Sequence, residues 1–230
     1  MKTALVLFGQ PRFFEITHHV FFKNLIESLE ADVFFHSWWD ESMIGSIYPC
    51  APHAKATLYD EDMTITSDIP DKLLSIYNPK AFKFDSYNYL ELKNRKSNYY
   101  QYYTQYKAGK LLEDYSNFNK VNYNLVIRSR FDLCCTQDIE FTLDDAVWFP
   151  TCCPYPDRVN DMFSISNQDN FLKLSRVYIN LPEFELEGKG EMEWALMKQI
   201  QKENLIIKKF AARYETFDIL RSTTKGKYIE

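Results

Sequence analysis

The first forty residues alternate between apolar runs and a periodic segment. Leu5 to Phe8 is a continuous apolar run closed by Gly9-Gln-Pro11, the pattern of a central parallel strand meeting a turn. Pro11 suits the first position of a helix. Phe14, Phe21, Leu25 and Leu29 then recur at helical spacing with Phe22 and Ile26 beside them, so an amphipathic helix is expected over 11–29. Ala31-Asp-Val-Phe-Phe35 reads as a second strand that ends in the polar and aromatic group His36-Ser-Trp-Trp-Asp40. Strand, helix and strand in this order make a βαβ unit with a right-handed crossover.

The rest of the chain continues the alternation. Residues 41–66 read as irregular, 68–77 as a short helix with Pro70 near its start, and 81–84 as a strand. Residues 86–96 are polar and read as a loop. Tyr99, Tyr102, Tyr103, Tyr106 and Leu111 recur at helical spacing, which predicts a long helix over 98–115 carrying a tyrosine stripe. Tyr123-Asn-Leu-Val-Ile127 is the clearest later strand and runs into a charged turn, Arg128 to Asp132. Strands are expected at 147–149, 162–166 and 205–210, and helices at 168–178 and 191–203. No repeat, linker or abrupt compositional shift interrupts the pattern, so the expectation is one α/β domain over 1–230, an open, mostly parallel sheet flanked by helices.

Composition narrows the function. A formal net charge of −5 with a pI near 5.5 argues against a nucleic-acid binder. The basic stretches Lys93-Asn-Arg95-Lys96 and Lys208-Lys209 are short enough for solvated faces. The N-terminal apolar run is too short for a signal core or a membrane span. Cys50, Cys134, Cys135, Cys152 and Cys153 lack zinc-knuckle spacing, and the expectation is reduced thiols in a cytoplasmic protein. Eighteen Phe, sixteen Tyr and four Trp suit a Phe-rich core, with some Tyr and Trp available to line a carbohydrate or base-stacking cleft.

In an open parallel sheet ligands bind beyond the carboxyl ends of the strands. The groups to inspect are therefore Gly9-Gln-Pro-Arg12, His36 to Asp40, Arg128 to Asp132 and the Asn160-Asp161 pair. Two arginines and an aspartate closing a buried apolar strand are costly unless those charges meet something. Alternation points Arg128, Arg130 and Asp132 to one side, where two guanidinium forks with a carboxylate suit a diphosphate or, alternatively, an internal Arg–Asp bridge. Gly9 permits close backbone approach, and Gln10 and Arg12 offer donors beside a helix start. His36 could contact a phosphate or a metal, or be a hydrogen-bonded histidine at the cleft edge. Asp60-Glu-Asp62 reads as a solvated acidic turn, and His18-His19 as surface or packing. Neither GxGxxG, a P-loop nor a Gly-x-Ser-x-Gly elbow is present.

Leu-Phe-Gly-Gln-Pro-Arg12, Asp32-Val-Phe-Phe-His36 and Tyr123-Asn-Leu-Val-Ile-Arg-Ser-Arg-Phe-Asp-Leu133 together resemble GT-A-like (Rossmann-like) glycosyltransferases. The similar group is that of bacterial surface-polysaccharide loci (WavE-like) and large DNA viruses such as chlorella viruses. Ile76-Tyr-Asn-Pro-Lys80, the Gln101 to Lys107 helix, Asn160-Asp-Met-Phe163 and Glu193-Trp-Ala-Leu196 add shorter matches. The resemblance implies sugar transfer from a nucleotide diphosphate sugar to a saccharide acceptor, in the cytoplasm (of the host, for a viral protein). Gly9, Gln10, Arg12, His36, Arg128, Arg130 and Asp132 would form the donor site, and Asp161 or Glu193 would be the general base. The family holds manganese or magnesium with Asp-x-Asp. Arg130-Phe-Asp132 keeps only the last aspartate, so either Asp132 binds the metal or the arginines supply the charge. A sugar nucleotidyltransferase and a non-catalytic carbohydrate-binding module, the latter suggested by the tyrosine stripe and Trp38-Trp39, are the competing readings.

Overall fold

The computed structural model describes residues 1–48, 63–87, 97–151, 157–185, 192–213 and 216–219. Among these, seven strands form one sheet in the order β3-β2-β1-β4-β7-β6-β8, and β5 pairs with β9 apart from it. From the β3 edge inward, β3 (Ala81–Asp85), β2 (Asp32–Trp38), β1 (Thr3–Gly9) and β4 (Leu125–Arg130) are all mutually parallel. β7 (Phe163–Ser166) runs antiparallel to β4, and β6 (Ala146–Pro150) antiparallel to β7, so β6 and its parallel neighbour β8 (Ile206–Phe210) return to the original direction. The expected open, mostly parallel sheet is present, with one reversed strand.

The continuous apolar runs are explained by burial on both faces. Leu5, Leu7, Val33, Phe35, Leu125 and Ile127 pack in one cluster with Phe14, Phe21, Phe22, Leu73 and Tyr77. Their strand neighbours Ala4, Val6, Phe8, Phe34 and Val126 pack in a second with Ala108, Leu112 and Phe171. The first cluster takes in helix α1 (Phe14–Thr17), the π-helical turn His18–Phe22 and helix α3 (Ile69–Tyr77). The second rests on α4 (Ser97–Asn119) and α5 (Gln168–Ser175). Full burial of each large apolar side chain contributes about 1.5–3 kcal/mol, so the two clusters dominate the stability of the sheet.

Several boundaries differ from the pattern-based expectation, each for a local reason. Pro11 does not start the first helix: Phe13 takes a left-handed conformation (φ 55°) and the helix begins at Phe14. The π turn inserts an extra residue, which rotates the helical turns beyond it. Phe21 and Phe22 are therefore buried, whereas α2 (Lys23–Leu29) leaves Leu25, Ile26 and Leu29 only partly so. Strand β2 continues through His36 and Trp38, and β4 through Arg128 and Arg130. Neighbours on both sides extend their ladders, Val6 and Ser164 flanking Arg128. The segment after α5 is a separate helix, α6 (Val177–Glu185), and α7 spans Met192–Lys202. Strands β5 (Leu133–Cys135) and β9 (Phe217–Ile219) go beyond the residue-pattern expectation, and Cys134 and Cys135 are buried there.

The tyrosine stripe is core. Tyr99, Tyr102 and Tyr103 are buried, as is Trp38, which stacks on Tyr103 with centroids 5.4 Å apart. His18 meets Tyr77 edge-on, and Lys208 pairs with Asp144 on the surface. Asp60-Glu-Asp62, Lys93 to Lys96, Cys50, Cys152 and Cys153 lie outside the described residues. None of the described helices is long and apolar enough to cross a membrane.

Candidate functional site

The parallel strands deliver three of the four expected groups to one edge. Register aligns His36 on β2, Phe8 on β1 and Arg130 on β4 in a row across the sheet, with Phe34, Val6, Arg128 and Ser164 in the row beneath. Opposed residues in parallel strands share a face, so His36, Arg128 and Arg130 all lie on the α4 side. Gly9 ends β1 at φ 100°, a conformation that side-chain-bearing residues rarely adopt, and turns the chain so that Arg12 comes back over the end of β4. Gln10 beside it is half-buried.

Asp132 is the hub of this edge. Arg130 grips it with two bonds, Nε to Oδ1 at 2.9 Å and Nη2 to Oδ2 at 2.7 Å, and Arg12 Nη2 donates to the same Oδ2. Its side chain is 1% exposed, against 17% for Arg130 and 13% for Arg12. Burial opposes its ionisation, but the charges of Arg130 and Arg12 and their hydrogen bonds outweigh that and hold the carboxyl below the usual carboxylate range. The internal Arg–Asp bridge therefore exists, and it fixes two arginines at the partly exposed mouth.

Arg128 lies deeper. It is fully enclosed, its Nε donating to Ser164 Oγ at 3.0 Å and its Nη1 to Gln105 Oε1 at 2.7 Å, with the guanidinium 5.3 Å from the Phe8 ring centre. Nη2 has no hydrogen-bond partner among the described residues. Burial pushes its pKa down to about 10, with Tyr102 and Asp161 acting in the opposite sense, so it stays protonated at neutral pH.

Asp161 reaches the same edge from the segment that precedes β7. Because β7 runs antiparallel, the residues just before it sit at the carboxyl ends of β1 and β4. Asn160 fixes that turn by accepting from the backbone of Met162 and Phe163. Asp161 is buried and accepts from Gln101 Nε2 at 2.6 Å, and Gln101 Oε1 lies 3.5 Å from Arg130 Nη1. Glu193 is half-buried in the first turn of α7, and the Tyr102 hydroxyl donates to the backbone of the preceding residue, Met192. Burial and the charges of Asp161 and Glu193 keep the Tyr102 phenol un-ionised, against the charge of Arg128.

Two strands away His36 joins a second cluster. Its Nε2 bonds Asp85 Oδ2 at 2.9 Å, Tyr103 donates to the same oxygen at 2.7 Å, and Lys83 approaches Oδ1 at 3.1 Å. Burial would raise the Asp85 pKa, but the bonds from His36, Tyr103 and Lys83 hold it well below the carboxylate range. Burial lowers the His36 pKa against the hydrogen bond and charge of Asp85. The neutral ring therefore places its proton on Nε2, and Nδ1 has no partner among the described residues. Asp85, Gln101, Gln105 and Ser164 were not picked out from the residue pattern; the four-residue spacing of the two glutamines on α4 was the available signal.

These residues do not fit a resident divalent ion. Both oxygens of Asp132 face guanidinium nitrogens, so a cation there would have to displace Arg12 and Arg130. No group of three metal-ligating side chains occurs among the described residues. The open depression lined by Met1, Asn124, Leu143, Asp144, Asp145 and Asn167 lies at the opposite, amino edge of the sheet and contains none of these groups.

No protein-family model and no curated protein matches the chain. Among solved structures it is similar to a nucleoside-diphosphate-sugar pyrophosphorylase from Vibrio cholerae RC9, with 10% identity and a TM-score of 0.44, covering 95% of each chain. It is also similar to the apo-form glycosyltransferase GlyE of Streptococcus pneumoniae TIGR4, with 12% identity and a TM-score of 0.44 over 94% of this chain. The match spans 46% of GlyE.

Proposed function

We propose that the protein is a cytoplasmic glycosyltransferase of GT-A type, acting as one domain over 1–230 and moving a sugar from a nucleotide diphosphate sugar to a saccharide acceptor. The observation that carries the reading is the convergence of Arg12, Arg128 and Arg130 at the carboxyl end of the central strands, with Asp132 ion-paired to the outer two. Arg12 and Arg130, the partly exposed members, would bind the diphosphate and stabilise the negative charge that builds on it as the sugar departs. Asp132 aims their forks. With the donor set unsuited to a metal, the arginines supply this charge themselves. Asp161, held by Gln101 beside the cluster, is the better-placed general base; Glu193, in the first turn of α7, is the second candidate. The Leu-Phe-Gly-Gln-Pro-Arg12 and Arg128-Ser-Arg-Phe-Asp132 motifs support the WavE-like and viral group. A loop with one glycine, Gly9-Gln-Pro-Arg12, weighs against a nucleotidyltransferase, and burial of Trp38 and most of the tyrosine stripe weighs against a carbohydrate-binding module.

A thermal-shift panel of UDP-, GDP-, CMP- and dTDP-linked ligands tests this. At least one nucleotide diphosphate sugar should raise the melting midpoint with or without manganese, and Arg130→Gln should weaken it about tenfold or more, as loss of a charged hydrogen-bond donor does. Asp161→Asn should lower kcat by about a hundredfold while nucleotide binding persists. Pyrophosphate release from a nucleoside triphosphate and free sugar phosphate would replace the reading with nucleotidyl transfer. Saccharide binding indifferent to every nucleotide would replace it with a binding module.

A further inference from the structure

Among the described residues, Arg128 is held by neutral groups alone. Ser164 and Gln105 take two of its nitrogens, Phe8 covers its face, and its third nitrogen is unpartnered there. The acidic group acting on it is Asp161, which works through space, its own Oδ2 being taken by Gln101. Desolvating a guanidinium without a countercharge costs several kcal/mol, and a carboxylate in bonding distance is the usual remedy. Asp132, which is ion-paired to both Arg12 and Arg130, makes no bond to Arg128. Gln105 is itself fully buried, and its Nε2 faces the Leu174 carbonyl at 3.5 Å, which turns its oxygen toward Arg128.

We infer that Gln105 is a positioning residue that fixes Arg128 while leaving its charge uncompensated, so that the charge is spent on the anion bound at the Arg12–Arg130 mouth. Arg128 sits two residues below Arg130 on the same strand face, about 7 Å along the strand. At that separation, in a partly desolvated site, a unit charge acts on a diphosphate without touching it. The glutamine matters because it is the neutral isostere of glutamate: it holds the guanidinium with an oxygen and withholds the charge. This inference rests on the diphosphate reading above and specifies how its field is made.

The test uses inorganic pyrophosphate as the probe, with binding measured by calorimetry on the full chain. Gln105→Glu supplies the missing countercharge and should weaken pyrophosphate about tenfold or more. Ser164→Asp supplies it from the other side of the same guanidinium and should do the same. Gln105→Met, which removes the oxygen but adds no charge, should weaken binding several-fold less than either. Equal binding by wild type, Gln105→Glu and Ser164→Asp would overturn the inference alone. So would an equal loss in Gln105→Met and Gln105→Glu, since geometry rather than charge would then be at work. Failure of both carboxylate variants to fold would also count against it, because a buried lone guanidinium should accept a partner. A wild-type protein that binds neither pyrophosphate nor any nucleotide diphosphate would instead overturn the diphosphate reading, and the inference with it.

Discussion

Asp132 and Asp85 occupy equivalent places, one at the end of β4 and the other at the end of β3, and they are kept ionised by opposite means. Asp132 is flanked by two guanidiniums, those of Arg12 and Arg130. Asp85 is held by a neutral imidazole, a phenol and one half-exposed ammonium, His36, Tyr103 and Lys83. The arginine cluster sets Arg12, Arg128 and Arg130 against Asp132 and Asp161, whereas the histidine cluster closes on itself around a single carboxylate. Fixed positive charge of this kind calls for an anion and responds to ligands. A closed set in which one ammonium balances one carboxylate calls for nothing, and through its histidine it responds to pH. On the proposed reading, the difference separates an anion-binding edge from a structural clamp, although both lie at the carboxyl ends of the strands.

The comparison is broken most severely at Asp132. Replacing it with Asn leaves Arg12 and Arg130 facing each other across a buried site, and breaking a buried pair this way costs about 3 kcal/mol. For a chain of this size that lowers the melting midpoint by about 9 °C. Scanning calorimetry should show the loss, and excess pyrophosphate should restore part of it by taking the carboxylate's place between the arginines. If Asp132→Asn melted with the wild type, the bridge would contribute little and the mouth would be organised by other contacts.

The sheet and most of its helices were legible in the residue pattern because continuous apolar runs and a 3.6-residue period are local consequences of burial. What was not legible depended on partners distant in the chain. Arg128 reads as a turn residue because charge at the end of an apolar run normally meets water. Only the flanking Val6 and Ser164 ladders reveal it as an interior strand residue. Asp161 reads as a candidate at the mouth although it precedes its strand, and the antiparallel direction of β7 is the reason it can lie there. Asp132 reads as a charged partner of the arginines, in an internal bridge or beside a diphosphate. Its saturation by Arg12 required the contact across 120 residues. Gln101 and Gln105 carry no charge and sit within a tyrosine-rich helix, so nothing in composition marks them.

At the histidine cluster the expected effects are smaller and depend on pH. The folded-state pKa of His36 lies below its ordinary value of 6.5 because the ring is buried, with Lys83 and Lys107 opposing protonation and Asp85 favouring it. Below pH 6.5 the unfolded chain takes up a proton that the folded protein refuses, so the stabilisation is complete above that value and is lost as pH falls toward the folded pKa. Asp85 moves the other boundary: its folded pKa is depressed, and its contribution persists down to the carboxylate range and fades only below it. Urea melts from about pH 7.5 to about pH 5.5 should show stability declining with acidity in the wild type and a shallower decline in His36→Gln. Some slope should persist, because His18 is also lowered by burial and by Lys23. An unchanged slope in His36→Gln would mean that the imidazole is solvated in solution.

Tyr103→Phe sharpens the contrast at the smallest scale. The phenol donates to Asp85 at 2.7 Å while its ring stacks on Trp38 and meets His36 edge-on at 5.6 Å, so the substitution removes one hydroxyl and leaves the packing in place. A hydrogen bond to a charged acceptor contributes about 1.5–3 kcal/mol, and Asp85 keeps Lys83 and a 13% exposed face to recover part of that, so a loss of about 1 kcal/mol is expected. The carboxylate should then titrate at a higher pH than in the wild type, having lost one of the donors that favour its ionised form, and acid unfolding should begin correspondingly earlier. Pyrophosphate affinity should stay with the wild type, because the histidine cluster contributes no net charge to the mouth. A loss of affinity in Tyr103→Phe comparable to that in Arg130→Gln would join the two clusters into one site and dissolve the distinction between them.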